Sequence, residues 1–152
     1  MLVYRIGKTK FARDITGEGA RLNGGRWNNK GTACIYTAES RALALLEYTV
    51  NVNIEDIPRA LSITTFEIPG DDIYELKEAD LPGDWRNMPA PSSIKALGTG
   101  LLINAARLVI KVPSTIVMEE FNYLLNPAHS GSNSIKVVDV KDIVYDVRIR
   151  FT

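Results

Sequence analysis

Residues 17–47 read GEGARLNGGRWNNKGTACIYTAESRALALLE, and the order of parts within that stretch decides the fold. It begins as a loop: four glycines and three asparagines fall between Gly19 and Gly31, together with Arg21, Arg26 and Lys30. Glycine tolerates conformations closed to other residues, so such a loop lets the backbone approach a ligand closely. A short apolar strand follows at Ala33–Thr37 with Tyr36 near its end. Ser40 then stands where a helix cap is wanted, before an almost wholly apolar run from Ala42 to Val50. One carboxylate, Glu47, interrupts that run. An arginine on a flexible loop, a tyrosine ten residues later and a carboxylate eleven beyond that make a candidate site of Arg26, Tyr36 and Glu47.

Working outward, Leu2–Ile6 reads as a first strand bounded by Gly7, and Lys8–Lys30 as a long loop without sustained periodicity. Loops of that length are usually functional or disordered, and Ile15, Leu22 and Trp27 offer this one apolar anchors. Leu43, Leu46 and Val50 define an apolar stripe on the helix at 40–51, with Glu47 on its edge. Such a helix is expected to be covered on more than one side, and a partly buried Glu47 needs partners. Arg59–Pro69 alternates as a strand, and Asp72–Leu76 reads as another. Lys77–Pro91 is expected to be an ordered surface loop containing Trp85. Ser92 or Ser93 is a candidate cap for a helix through Ala105, despite Gly98 and Gly100, which cost about 1 kcal/mol each relative to alanine. Those glycines suit close packing of the helix on a sheet. Leu108–Lys111 and Thr115–Met118 read as strand segments around Val112-Pro113-Ser114, and Glu119–Leu125 as a helical turn. Ile135–Val140 and Ile143–Phe151 read as two strands separated by Lys141-Asp142. Strands at both ends with helices between give an α+β class, in one domain spanning residues 1–152.

Composition narrows the function. Of 152 residues 45% are hydrophobic, enough for one real core. The 18 acidic residues balance the 18 basic ones, so no general attraction to nucleic acid or membrane is expected. Cys34 and His129 are the single cysteine and histidine, which argues against an internal disulfide or a dedicated metal site. The start MLVYRIGKTK lacks a signal-peptide core, and Gly100–Met118 is broken by Asn104, Arg107, Lys111 and Pro113, so a cytoplasmic protein is expected.

The loop GARLNGGRWNNKG is not a Walker loop, because no Gly-Lys-Ser/Thr opens a helix after it. It is not a dinucleotide fingerprint either, since a strand follows where a helix should. Taken singly, each residue has an ordinary structural explanation. Arg26 could stack on Trp27, Tyr36 could be a core tyrosine and Glu47 could belong to an ion pair. Ser114 could be a turn residue after proline.

Their order and spacing carry more. Gly25-Arg26-Trp27-Asn28, Gly31, Tyr36 and Ala44-Leu45-Leu46-Glu47 resemble the core of the RES domain family, named for an arginine, a glutamate and a serine. The resemblance continues in Val3-Tyr4-Arg5, Val112-Pro113-Ser114 and Asn122-Tyr123-Leu124-Leu125-Asn126-Pro127, and so covers nearly the whole chain.

The resemblance implies a fold like that of ADP-ribosyltransferases, with short antiparallel sheets and a few flanking helices. It also implies a toxin of a bacterial type II toxin–antitoxin pair that depletes NAD⁺ by cleaving the nicotinamide–ribose bond. The family residues carried over are Glu47, Arg26 and Tyr36 as catalytic, with Ser114, Arg5 and Asn126 beside Arg26 and Tyr36 in binding NAD⁺. NAD⁺ is then the substrate, inorganic phosphate is the co-substrate of a phosphorylase version, and there is neither a prosthetic group nor a metal. The implied partner is an Xre-type helix-turn-helix antitoxin that occludes the site, and a homodimer within the complex is one assembly it could take.

The residue types suit that chemistry. Nicotinamide leaves NAD⁺ as a neutral base without a general acid, and positive charge develops on the ribose. A fixed carboxylate stabilises that charge. Arginine offers a planar fork for the pyrophosphate, tyrosine a face for the nicotinamide, and serine one orienting hydrogen bond. Rivals are ADP-ribosylation of a protein and a non-catalytic nucleotide-binding module. Hydrolysis and phosphorolysis are not separable from the sequence.

Overall fold

The computed structural model describes residues 1–104 and 106–150. Seven strands form one sheet in the order β4-β5-β6-β2-β1-β3-β7. They are β1 (Leu2–Lys8), β2 (Ile35–Ala38), β3 (Leu61–Glu67), β4 (Ile73–Glu75), β5 (Val109–Pro113), β6 (Phe121–Leu125) and β7 (Lys136–Ile143). All neighbours are antiparallel except β4 and β5. The helices are α1 (Glu18–Asn23), α2 (Arg41–Asn51) and α3 (Ser92–Ile103). This is the α+β class expected, drawn together into a single mixed sheet.

Alternation along the strands sorts the core into two faces. Val3, Ile35, Phe66, Val109, Tyr123 and Leu125 share one face, where the chain around Ala12 and Ile135 covers them. The other face carries two separate clusters. Tyr4, Ile6 and Ala38 pack under Leu43, Ala44 and Tyr48 of α2. Ile110, Val112 and Leu124 pack under Ile94 and Leu102 of α3, with Trp27 and Trp85. Between the two helical covers lies a seam above β2 and β6. The register sets Tyr36 beside Leu124 and Ala38 beside Asn122, so Tyr36 and Asn122 point into that seam.

Local chemistry explains most elements. Ser40 caps α2 as its sequence suggests, its Oγ accepting from Leu43 N–H at 3.0 Å. α3 starts where expected, but Pro91 precedes it and neither serine supplies a side-chain cap. The expected end of that helix, Ala105, lies outside the described residues.

Several expectations are corrected. The long first loop contains α1 and a 3₁₀ turn at Thr9–Phe11. Leu46 and Val50 are exposed while Thr49 is buried, so the packed face of α2 is rotated from the apolar stripe. Ala44, Leu45 and Tyr48 meet the sheet, and Thr49 Oγ1 satisfies itself on Leu45 O and Tyr145 Oη. Trp85 is 4% exposed, so its loop is partly core. Residues 115–118 form no strand, and 121–125 are a strand where a helical turn was expected. β7 runs unbroken through Lys141-Asp142 because both residues pair with β3. A 3₁₀ turn at Val147–Arg150 replaces the last strand, whose final residue Phe151 lies outside the described residues.

Candidate active site

The glycine-rich loop is held by a buried asparagine. Asn28 is fully buried, and its Nδ2 donates to the carbonyls of Ala20, Asn29 and Thr32. Its Oδ1 accepts from the Tyr36 hydroxyl at 2.6 Å, and that hydroxyl in turn accepts from Trp27 N–H at 3.0 Å. Gly25 N–H closes the loop on Asn28 O at 3.1 Å. A Cβ at Gly25 would stand 2.6 Å from the Tyr36 hydroxyl, so the approach requires glycine. Burial drives the Tyr36 phenol well above its ordinary range, with the Trp27 N–H bond and the Arg26 charge working against it. Tyr36 is therefore a neutral donor that fixes the loop, and its half-buried ring borders the seam.

Arg26 projects from this loop towards the segment before α3. Its Nη1 donates to Trp85 O at 2.8 Å and Asn87 O at 3.1 Å, while Nη2 meets Met88 Sδ. The neighbouring Trp27 and Trp85 rings lie 6.5 Å apart, and Trp27 O rests against Gly98 of α3. Burial lowers the Arg26 guanidinium from its ordinary value, and the charge of Glu47 opposes that shift. It stays a cation. No ion pair joins Arg26 to Glu47 among the described residues, so the two charges face each other without cancelling at contact distance.

Glu47 reaches into the seam from α2. Its Oε1 accepts from Asn122 Nδ2 at 2.6 Å and from Ser114 Oγ at 3.2 Å. Ser114, 1% exposed, follows β5 directly, and its Oγ also accepts from Ile116 N–H and Val117 N–H. With both lone pairs so occupied, the Ser114 hydroxyl hydrogen is committed to Glu47. Glu47 Oε2 has no partner among the described residues, yet it is not among their buried unsatisfied atoms, so it is open to solvent.

The structure thus gathers Arg26, Tyr36, Glu47 and Ser114 around one seam. It does not bring Arg5 or Asn126 there. Arg5 lies on the opposite face of the sheet, its Nη2 donating to the carbonyls of Phe11, Ala12 and Asp14 and its guanidinium 4.9 Å from the Phe66 ring. Burial lowers its pKa, while Asp14 resists. Asn126 is fully buried at the far end of β6, where Nδ2 donates to Leu102 O and Arg107 O. Both residues tie the fold together. Asn122 is the contact that the sequence reading passed over, although it stands inside the quoted run 122–127. Among the described residues, no cluster of three or more His, Cys, Asp or Glu could hold a metal ion. Nor is any helix there long and apolar enough to cross a membrane.

Comparison with known proteins gives this arrangement a family. Residues 2–148 match the RES domain. The chain is 38% identical over 152 residues to "Toxin Res" of Yersinia enterocolitica, covering 99% of this chain and 100% of that protein. It is 37% identical over 146 residues to "Prs ADP-ribosylating toxin" of Sphingobium sp., covering 93% and 90%. In fold it is similar to a chain of the M. tuberculosis MbcT–MbcA toxin–antitoxin complex. That likeness has a TM-score of 0.75 and 21% identity, and it covers 94% of this chain and 84% of that one. The chain belongs to the RES domain family.

Proposed function

We propose that this protein is a toxin that cleaves the nicotinamide–ribose bond of NAD⁺, as the catalytic half of a bacterial toxin–antitoxin pair. The observation that carries the reading is Glu47: one carboxylate oxygen is held by two donors and the other is open in a seam that also faces Arg26. Cleavage needs negative charge beside C1 of the ribose as the bond to the cationic nicotinamide breaks, and a carboxylate already fixed in place supplies it. Nicotinamide carries away the bonding electrons as a neutral base, and water or inorganic phosphate attacks the sugar. Arg26 keeps Nε–H and one Nη2–H without a protein partner among the described residues, and these donors serve the pyrophosphate. Tyr36 offers its ring to the nicotinamide, while Ser114 acts on NAD⁺ through Glu47. Arg5 and Asn126 support the site from a distance.

A second reading, ADP-ribosylation of a protein, is favoured by the name of the Sphingobium relative. One incubation separates the routes. With NAD⁺ labelled in its adenylate half, hydrolysis leaves label in free ADP-ribose and phosphorolysis leaves it in an ADP-ribose phosphate ester. Transfer leaves it on protein. Label remaining in intact NAD⁺ would defeat all three.

A cytoplasmic NAD⁺ consumer also needs restraint. The solved relative is a toxin in complex with its antitoxin, and the corresponding partner here is an Xre-type antitoxin with a segment lying over Arg26 and Glu47. Co-expression with the neighbouring gene product should restore growth and yield a stable complex. Failure of both would reject the pairing while leaving the enzyme reading in place.

A further inference from the structure

Asn122 is tied to the site by one hydrogen bond and to nothing else that explains it. Its Nδ2 donates to Glu47 Oε1 at 2.6 Å, the shortest contact that carboxylate makes. Its Oδ1 is the buried side-chain atom without a hydrogen-bond partner among the described residues. A buried unsatisfied amide oxygen is costly to a fold, and evolution of stability alone would replace it with an apolar side chain. Turning the amide over would not help, since Oδ1 would then face the carboxylate with two acceptors in contact. The orientation is therefore set by Glu47.

The two donors on Glu47 also divide the carboxylate. Ser114 and Asn122 both engage Oε1, and neither engages Oε2. They approach from different places in the fold: Ser114 from the end of β5, Asn122 from the start of β6. Two donors from adjacent strands fix both the position and the rotation of a side chain that hangs from a helix. One donor would leave the carboxyl free to swing.

We propose that Asn122 is a positioning residue that, with Ser114, holds Glu47 through Oε1 so that Oε2 is presented to the ribose. This rests on the NAD⁺-cleaving reading. Displacing a reacting group by about 1 Å can cost on the order of a hundredfold in rate, and that sets the expected scale.

The test measures nicotinamide release over a range of NAD⁺ concentrations for wild type, Asn122→Ala and Asn122→Asp, with thermal melting of each. Asn122→Ala should lower kcat by roughly 10- to 100-fold with KM for NAD⁺ within about twofold. Asn122→Asp keeps the shape but sets a second carboxylate against Glu47. The two then either repel or share one proton, and each outcome spoils the charge at the ribose. The isosteric Asp variant should therefore be slower than the truncated Ala variant, an order that a merely space-filling role would reverse. Should Asn122→Ala melt early, the isosteric variant still decides the matter. Wild-type kcat in both variants, or a raised KM with kcat unchanged, would overturn the positioning role alone. A folded wild-type protein that releases no nicotinamide would overturn the functional reading and this proposal together.

Discussion

Tyr36 and Arg26 each hold two things at once, and single substitutions separate them. Tyr36→Phe leaves Asn28 Oδ1 and Trp27 N–H without their shared partner. The expected cost is about 1–3 kcal/mol, or about 2–4 °C in Tm per kcal/mol for a chain of this size, measured by thermal melting. The phenol's pKa is raised by burial, so its stabilising share is complete below the ordinary value of 10.0 and declines as pH rises above it. Tyr36→Phe should therefore lose less stability than wild type between roughly pH 9 and 11; equal losses would show that the phenol is not the titrating group. Arg26→Lys removes the planar guanidinium, whose Nη1 donates to both Trp85 O and Asn87 O. KM for NAD⁺ should rise at least about tenfold, and residues 82–91 should become more open to proteolysis. Unchanged kinetics would take Arg26 out of the site. That Arg26, Tyr36, Glu47 and Ser114 belong together was legible through the resemblance of their motifs to one family, and the fold does bring them to one seam. Asn122 was not, because its partner is 75 residues away and meets it only where α2 packs over β6.

Among the elements, α3 offers a paired test of packing. A Cβ at Gly98 would collide with Trp27 O, a backbone atom that cannot step aside, whereas a Cβ at Gly100 meets nothing within 4 Å. Gly98→Ala should lose at least about 1–3 kcal/mol by denaturant unfolding, while Gly100→Ala should gain up to about 1 kcal/mol from helix propensity. Close packing by glycine was foreseen; that it serves the Arg26 loop and not the sheet could not be. Near β2, burial raises the Cys34 thiol well above its ordinary value. It should resist thiol reagents at neutral pH until the protein unfolds, and rapid labelling of native protein would contradict its place in the core. Helix α2 was legible in its cap and length because Ser40 and the apolar run are local signals. Strand β6 was not: FNYLL is a short apolar run that fits helix or strand equally. Glu119, in the left-handed region at φ 65°, breaks the backbone just before it.

At the scale of the whole molecule, one sheet face is capped by two independent helical clusters, and the candidate site is the line where they fail to meet. Composition and alternation were enough for the α+β class, since each strand's buried face is written every second residue. Strand order was not, because β2 sits between β1 and β6 through contacts that no local pattern encodes. The surface loop reading of residues 77–91 misses only Trp85, which is buried in a cluster with Trp27 and Ile94 that local sequence does not announce. The proposed function makes a clear demand of such a seam: the carboxylate of α2 would act on a substrate held by the loop beneath α3. The most direct measurement is nicotinamide release from NAD⁺ by the purified chain beside its Glu47→Gln variant, with NAD⁺ affinity and thermal melting taken on both. Glutamine keeps the hydrogen-bond acceptor for Asn122 and Ser114 but removes the charge. Release should fall by about a hundred- to a thousandfold while affinity and melting stay near wild type. Equal rates in the two proteins, or no release from the folded wild type, would contradict the account.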